Sequence, residues 1–213
     1  VGTKVKICGV NSPAAFDAVV AAGADFLGFV FFPPSPRFVA PLEAARLSGR
    51  HSGGPARVGL FVHGVDADIT AALAAIRLDV LQVYADAARC REIKTNFGIP
   101  VWRAIGVAAA TDLPATDEGL DGFVIEAKPP AGATRPGGNA AALDVSLLAG
   151  WHAPGFWLLG GGLAPDNVAA AITATGAPGV DVSSGVEIAP GMKSPGLIAK
   201  FVTTARSAAR PVE

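Results

Sequence analysis

Short apolar runs alternate with amphipathic stretches along the whole chain. Lys4-Val5-Lys6-Ile7-Cys8-Gly9 reads as a strand ending in a turn, and a period of two puts Lys4, Lys6 and Cys8 on one face. Asn11 or Ser12 is placed to cap a helix with Pro13 in its first turn, and Gly23 ends it. The same unit then recurs. Strands are predicted at Asp25 to Phe31, Arg57 to Val62, Val80 to Tyr84, Pro100 to Ile105, Gly122 to Glu126, Phe156 to Leu159 and Gly179 to Val182. Helices are predicted at Pro41 to Leu47, Asp66 to Ile76 with Asp66 as cap, Ala85 to Phe97, Leu143 to Ala149, Asp166 to Thr175 and Ser194 to Ala209. A short, weakly marked helix is placed near Thr111 to Leu113, and Ala127 to Ala142 is a long loop rich in Pro and Gly.

Strands alternating with helices mean a parallel sheet with crossover helices. Eight such units in roughly 200 residues match a compact (β/α)8 TIM barrel. The rival, a doubly wound open sheet, usually opens with a Gly-rich turn after its first strand, where this chain has Cys8-Gly9. No linker interrupts the pattern, so residues 1–213 are expected to form a single barrel domain.

Composition narrows the function. Of 213 residues, 51% are hydrophobic and only 16% charged, which suits a sheet covered on both faces. No apolar run reaches the roughly 18–20 residues a membrane span needs. With a net charge of −1 and no basic block, neither a nucleic-acid nor a membrane partner is expected. The start lacks a leader pattern and only two cysteines occur, Cys8 and Cys90, so a reducing cytoplasm is the expected setting. The expected assembly is a monomer or weak homodimer.

In such a barrel the carboxyl ends of the strands share one face, and the active site lies there. Two glycine-rich strand ends stand out, Leu158-Leu159-Gly160-Gly161-Gly162-Leu163 and Gly179-Val180-Asp181-Val182-Ser183-Ser184-Gly185. Turn N–H groups and hydroxyls suit an anion, so a phosphate held between the two turns is predicted, after strands seven and eight. Cys8 ends the first strand and is either a base or a small buried apolar residue. Lys6, on its face, either lowers the thiol pKa or pairs with Asp181; the pair is the simpler role. Glu126 closes Phe123-Val124-Ile125 and is either an acid kept protonated by burial or a partner of Lys128 or Lys6. Arg37, after Pro33, Pro34 and Pro36, is a cation for a carboxylate on a stiff loop. His63 reads as a loop residue, Cys90 as structural, and Trp102, Trp151 and Trp157 as packing. No His, Cys or carboxylate cluster has metal-ligand spacing.

Taken together, Lys6-Ile7-Cys8-Gly9, Gly28-Phe29-Val30-Phe31 with Ser35-Pro36-Arg37, Leu81-Gln82, Ala127-Lys128 with Gly137-Gly138-Asn139, Gly161-Gly162-Leu163 with Pro165-Asp166-Asn167-Val168, and Gly179 to Glu187 resemble phosphoribosylanthranilate isomerases from the first strand to the last helix. The resemblance implies an Amadori rearrangement in tryptophan biosynthesis, a phosphorylated small-molecule substrate, and no cofactor or metal. It implies Cys8 as general base and Glu126 as general acid. It also implies Arg37 on the anthranilate carboxylate, and Gly161, Gly162, Ser183, Ser184 and Gly185 on the phosphate. The loop with Gly137-Gly138 would close over the substrate. Three departures stand against the family pattern. Glu126 replaces an aspartate, Tyr84-Ala85 replaces His-Gly, and Asn139-Ala140 with Leu143-Asp144-Val145 replaces a glycine and Phe-Asp-Trp. They leave open another aldose–ketose phosphosugar isomerisation, or an inactive phosphate-binding barrel.

Overall fold

The computed structural model describes residues 2–129, 132 and 142–209. Eight parallel strands close into a barrel in chain order. They are β1 Lys4–Cys8, β2 Phe26–Val30, β3 Ala56–Phe61, β4 Val80–Val83, β5 Val101–Val107, β6 Gly122–Ala127, β7 Trp157–Leu159 and β8 Gly179–Val182. The seam closes where β1 pairs with β8, Lys6 opposite Asp181. An open doubly wound sheet is thereby excluded.

The helices are α1 Pro13–Ala22, α2 Pro41–Ser48, α3 Asp66–Ala75, α4 Ala87–Phe97, α5 Val168–Thr175 and α6 Pro195–Ser207. The Ser12 hydroxyl accepts from Ala15 N and caps α1, and Gly23 ends it in the left-handed conformation. Asp86 and Ser194 cap α4 and α6 in the same way. Three sequence expectations change. Val65, not Asp66, holds the cap position of α3; Asp66 lies in the first turn and pairs with Arg89. The stretch from Leu143 to Ala149 forms only a 3₁₀ turn, Val145–Leu148, capped by Asp144. A β-branched residue and a serine inside so short a segment before Gly150 favour the tighter turn. Near Thr111 the helix is likewise a 3₁₀ turn, Ala110–Asp112.

One addition was not anticipated. After β8, a small antiparallel hairpin forms from β9 Glu187–Ala189 and β10 Met192–Lys193.

Side chains alternate across each strand. Inward residues Val58, Val80, Trp102, Ala104, Val124 and Leu158 fill the barrel. Outward residues such as Ile7, Leu27, Leu81, Ile125 and Val180 pack with the helices in a second core. Trp102 stacks edge-on against Phe26, and Trp151 against Trp157, so the tryptophans pack as expected. Of the described helices, none is long and apolar enough to cross a membrane.

Candidate active site

The closed barrel brings the predicted strand ends to one mouth. Cys8, the last residue of β1, points inward and is buried beside Val30, Leu60 and Val62, with Tyr84 packed against them. Space for it comes from β2: a Cβ on Gly28 would sit 3.0 Å from Cys8 Sγ and 3.3 Å from Lys6 Nζ. Lys6, fully buried, binds Asp181 at 2.9 Å, the pair expected from the sequence. Burial works against the ammonium, but Asp181 and Cys8 together outweigh it, and the Lys6 pKa is raised. Burial pushes the Cys8 thiol up; Lys6 pulls against this without reversing it. Both cysteines are free and buried.

Glu126 lies on β6, across the mouth, with 8% of its surface exposed. It forms no ion pair with Lys6 or Lys128, and Oε1 has no hydrogen-bond partner among the described residues. Burial pushes its pKa up to about 7, while the Tyr84 phenol, facing it from the end of β4, partly counters the rise. The Tyr84 phenol is itself pushed well up, first by burial and then by Glu126. Gln82 Oε1, one inward position before Tyr84, is also buried without a partner among the described residues. A proton-holding carboxyl and a thiol are thus both buried at one mouth.

The two glycine turns interlock. A Cβ on Gly185 would overlap the Leu163 carbonyl oxygen and reach 3.0 Å from Ala164 Cα. Gly162 holds φ +65°, and a Cβ there would meet Ala142 Cα at 2.7 Å. Only backbone fits between these turns. Asn167 braces the first: its Oδ1 accepts from Ala164 N (2.8 Å) and its Nδ2 donates to Gly162 O (2.9 Å). Ser183 follows β8, its hydroxyl donating to Cys8 O at 3.1 Å, and Ser184 opens a 3₁₀ turn, Ser184–Val186. The turn carrying Gly185 thus lies directly against the Leu163-Ala164 backbone that follows Gly161 and Gly162, with Ser183 and Ser184 just before it.

Arg37 is buried at the same rim, but Glu187 clasps it through Nε (2.8 Å) and Nη2 (2.9 Å). Its direction is fixed by that carboxylate as well as by the prolines. Glu187 is shared with Lys193, whose wholly buried ammonium donates to Glu187 Oε1 at 2.7 Å. Sequence reasoning missed Glu187 and Lys193 as site residues, and also Asn167's bracing role. The Pro190-Gly191 dipeptide between β9 and β10 was the available signal for a hairpin. His63 is exposed and meets Phe32 edge-on, and Cys90 is buried in α4. Gly137, Gly138, Asn139 and Ala140 of the expected covering loop lie outside the described residues. Among the described residues no His, Cys, Asp or Glu group is arranged to hold a metal ion.

Comparison with known proteins agrees over nearly the full length. A family model described as N-(5'phosphoribosyl)anthranilate (PRA) isomerase matches residues 5–204. A relative from Acidiphilium cryptum, named N-(5'-phosphoribosyl)anthranilate isomerase, is 56% identical over 205 residues, covering 96% of this chain and 99% of its own. The solved structure of TrpF from Jonesia denitrificans superposes with a TM-score of 0.83 at 36% identity, covering 97% of this chain and 98% of that one. A phosphoribosyl anthranilate isomerase solved with reduced 1-(o-carboxyphenylamino)-1-deoxyribulose 5-phosphate superposes at 0.79 with 31% identity, covering 95% and 98%.

Proposed function

This chain belongs to the N-(5′-phosphoribosyl)anthranilate isomerase family, and on that premise we propose that it isomerises N-(5-phosphoribosyl)anthranilate to 1-(2-carboxyphenylamino)-1-deoxyribulose 5-phosphate in tryptophan biosynthesis, with Glu126 as general acid and Cys8 as general base. The observation that carries the assignment of roles is Glu126 itself. It is a buried carboxyl whose pKa of about 7 lets it hold a proton at neutral pH, across the mouth from a thiol.

Glu126 gives its proton to the ribose ring oxygen. The C1′–O bond breaks as the nitrogen lone pair forms an iminium. The Cys8 thiolate then takes the C2′ proton, and the freed electron pair makes the C1′–C2′ double bond and returns the lone pair to nitrogen. C1′ gains a proton, the 2′ hydroxyl loses one, and the ketone results. One proton has moved from Glu126 to Cys8, and its return resets the site. The two groups therefore work as a pair sharing one proton. Burial raises the Cys8 thiol, so the thiolate forms against that rise, with Lys6 pulling in its favour.

The phosphate sits on Gly161, Gly162, Ser183, Ser184 and Gly185, where turn N–H groups meet an anion. Arg37, held in direction by Glu187, meets the anthranilate carboxylate. The buried free thiols fit a reducing cytoplasm, and the barrel is read as a monomer or weak homodimer.

The test is the loss of anthranilate-type fluorescence when phosphoribosylanthranilate, generated in situ, meets the protein. Conversion that disappears in Cys8→Ala is the expected result. Wild-type protein that binds a substrate analogue without turning the substrate over would sink the proposal.

A further inference from the structure

We propose that Lys193 is a positioning residue that ties the base, the phosphate cradle and the Arg37 clamp into one unit. The inference deepens the function proposed above and rests on it.

The argument begins with cost. An ammonium wholly removed from water is expensive unless it is paired and hydrogen-bonded. Lys193, with no exposed side-chain surface, makes three contacts. They are to Ser183 O at 2.9 Å, Ser183 Oγ at 3.3 Å and Glu187 Oε1 at 2.7 Å. Each leads to a different part of the site. The Ser183 hydroxyl, while accepting from Lys193, donates to the Cys8 carbonyl on β1. The Ser183 carbonyl belongs to the turn that leads into Gly185. Glu187 is the carboxylate that clasps Arg37. The hairpin carrying Lys193 is itself pinned. A Cβ on Gly191, at its turn, would overlap the Pro36 carbonyl oxygen, next to Arg37, and Ser194 N donates to Val186 O at 2.9 Å.

Lys193 also adds a second cation near the thiol. The groups facing Cys8 are Lys6 from β1, Asp181 from β8, Tyr84 from the end of β4, and Lys193 from the hairpin. Burial is the largest influence on the thiol and raises it; Lys6 and Lys193 favour the thiolate, and Asp181 opposes it. Lys193 is held low by burial and sustained by Glu187, with Arg37 opposing and Cys8 assisting its charge.

The experiment uses the full chain with Cys90→Ala, so that Cys8 is the one thiol. Three readings are taken: the pH midpoint of Cys8 alkylation by iodoacetamide, KM and kcat with substrate generated in situ, and thermal stabilisation by inorganic phosphate. Lys193→Met is expected to raise the alkylation midpoint by about one pH unit. It is expected to raise KM about tenfold or more, and to weaken phosphate stabilisation. Lys193→Arg, which keeps the cation, should hold the midpoint near its original value while still raising KM. Should Lys193→Met not fold, Lys193→Gln against Lys193→Arg makes the same neutral-versus-charged comparison. A midpoint unmoved by neutral substitutions, or moved equally by Arg, or an unchanged KM, overturns the proposal. A wild-type protein without turnover would instead defeat the functional reading, while the alkylation midpoint and the phosphate response would still decide the role of Lys193.

Discussion

At the amino-terminal end of the barrel, Asp25, Asp79 and Asp121 stand directly before β2, β4 and β6. Each makes the same two-point clasp on the strand before it. Their carboxylates accept from Val5 N (2.9 Å), Arg57 N (2.8 Å) and Val101 N (2.9 Å). Their own N–H groups donate to the carbonyls of the same three residues, at 2.9, 2.8 and 3.1 Å. Before β8 the position is Pro178, and its carbonyl accepts from Lys4 N instead. At the carboxyl-terminal mouth the treatment of polar groups differs. Glu126 Oε1 and Gln82 Oε1 are buried without hydrogen-bond partners among the described residues, and the Cys8 thiol and Glu126 carboxyl are both shifted upward by burial. One end spends its polar groups on holding strands together. The other pairs Lys6, Arg37 and Lys193 but leaves two buried oxygens, on Gln82 and Glu126, without a hydrogen bond among the described residues, which destabilises the protein.

Glu126→Gln should split the two properties most widely. Turnover falls by about a thousandfold or more, because amide cannot give up a proton. Stability should rise. Glu126 binds its proton more tightly folded, at about 7 against an ordinary 4.5, so the protein loses stability as pH rises through that window. A shift of roughly 2.5 units corresponds to about 3 kcal/mol. Urea unfolding at pH 8 should show a gain of that order for the variant, and none below about pH 4.5. Equal stability at pH 8 would mean that the carboxyl is not strained by burial.

Next is Gly185→Ala, where the added Cβ has no place beside Leu163. It should cost on the order of 1–3 kcal/mol by overpacking and abolish stabilisation by inorganic phosphate. A variant that still binds phosphate normally would show that the interlocked turns are not the cradle. Asp79→Ala tests the other end. It should cost about 1–3 kcal/mol, since the Arg57 N–H loses its partner, while kcat and KM stay within about twofold. A large change in kcat would break the division between the two ends. Cys90→Ala should have the smallest effect: Cys90 is buried in α4 with its pKa raised to about 11, chiefly by burial, so iodoacetamide inactivation should still track Cys8 alone.

Much of the mouth was legible because strand ends converge by topology. Once eight strands alternated with helices, Cys8, Glu126, Ser183 and the glycine turns had to meet, and Lys6 opposite Asp181 followed from the seam. The hairpin was not legible. Glu187–Ala189 and Met192–Lys193 are too short for a period of two to register. A lone lysine among small polar residues looks solvated, and only the fold shows it buried. The Asp clasps had a signal in the chain, an aspartate before each of Phe26, Val80 and Gly122. Their partners lie about twenty residues away, however, and that spacing gains meaning only once the strands are paired. The prolines marked Arg37 as a held side chain, but Glu187, which holds it, was visible only as the end of a strand motif.

The contact between Gly185 and Leu163 has a consequence for how the molecule assembles. The surface read as the anion cradle does not exist until β7 and β8 are both in place, and β8 reaches its seat only by meeting β1; Ser183 and Cys8, which join across that seam, are 175 residues apart in the chain. Contacts of such separation carry a large loop-closure cost and set slow steps in folding. On the proposed reading, phosphate bound in that cradle selects chains whose last seam has closed. By mass action it deepens the native well at the point where reopening would begin. In a refolding experiment, recovery of phosphate binding should trail recovery of helical signal, so that the ligand reports the final closure.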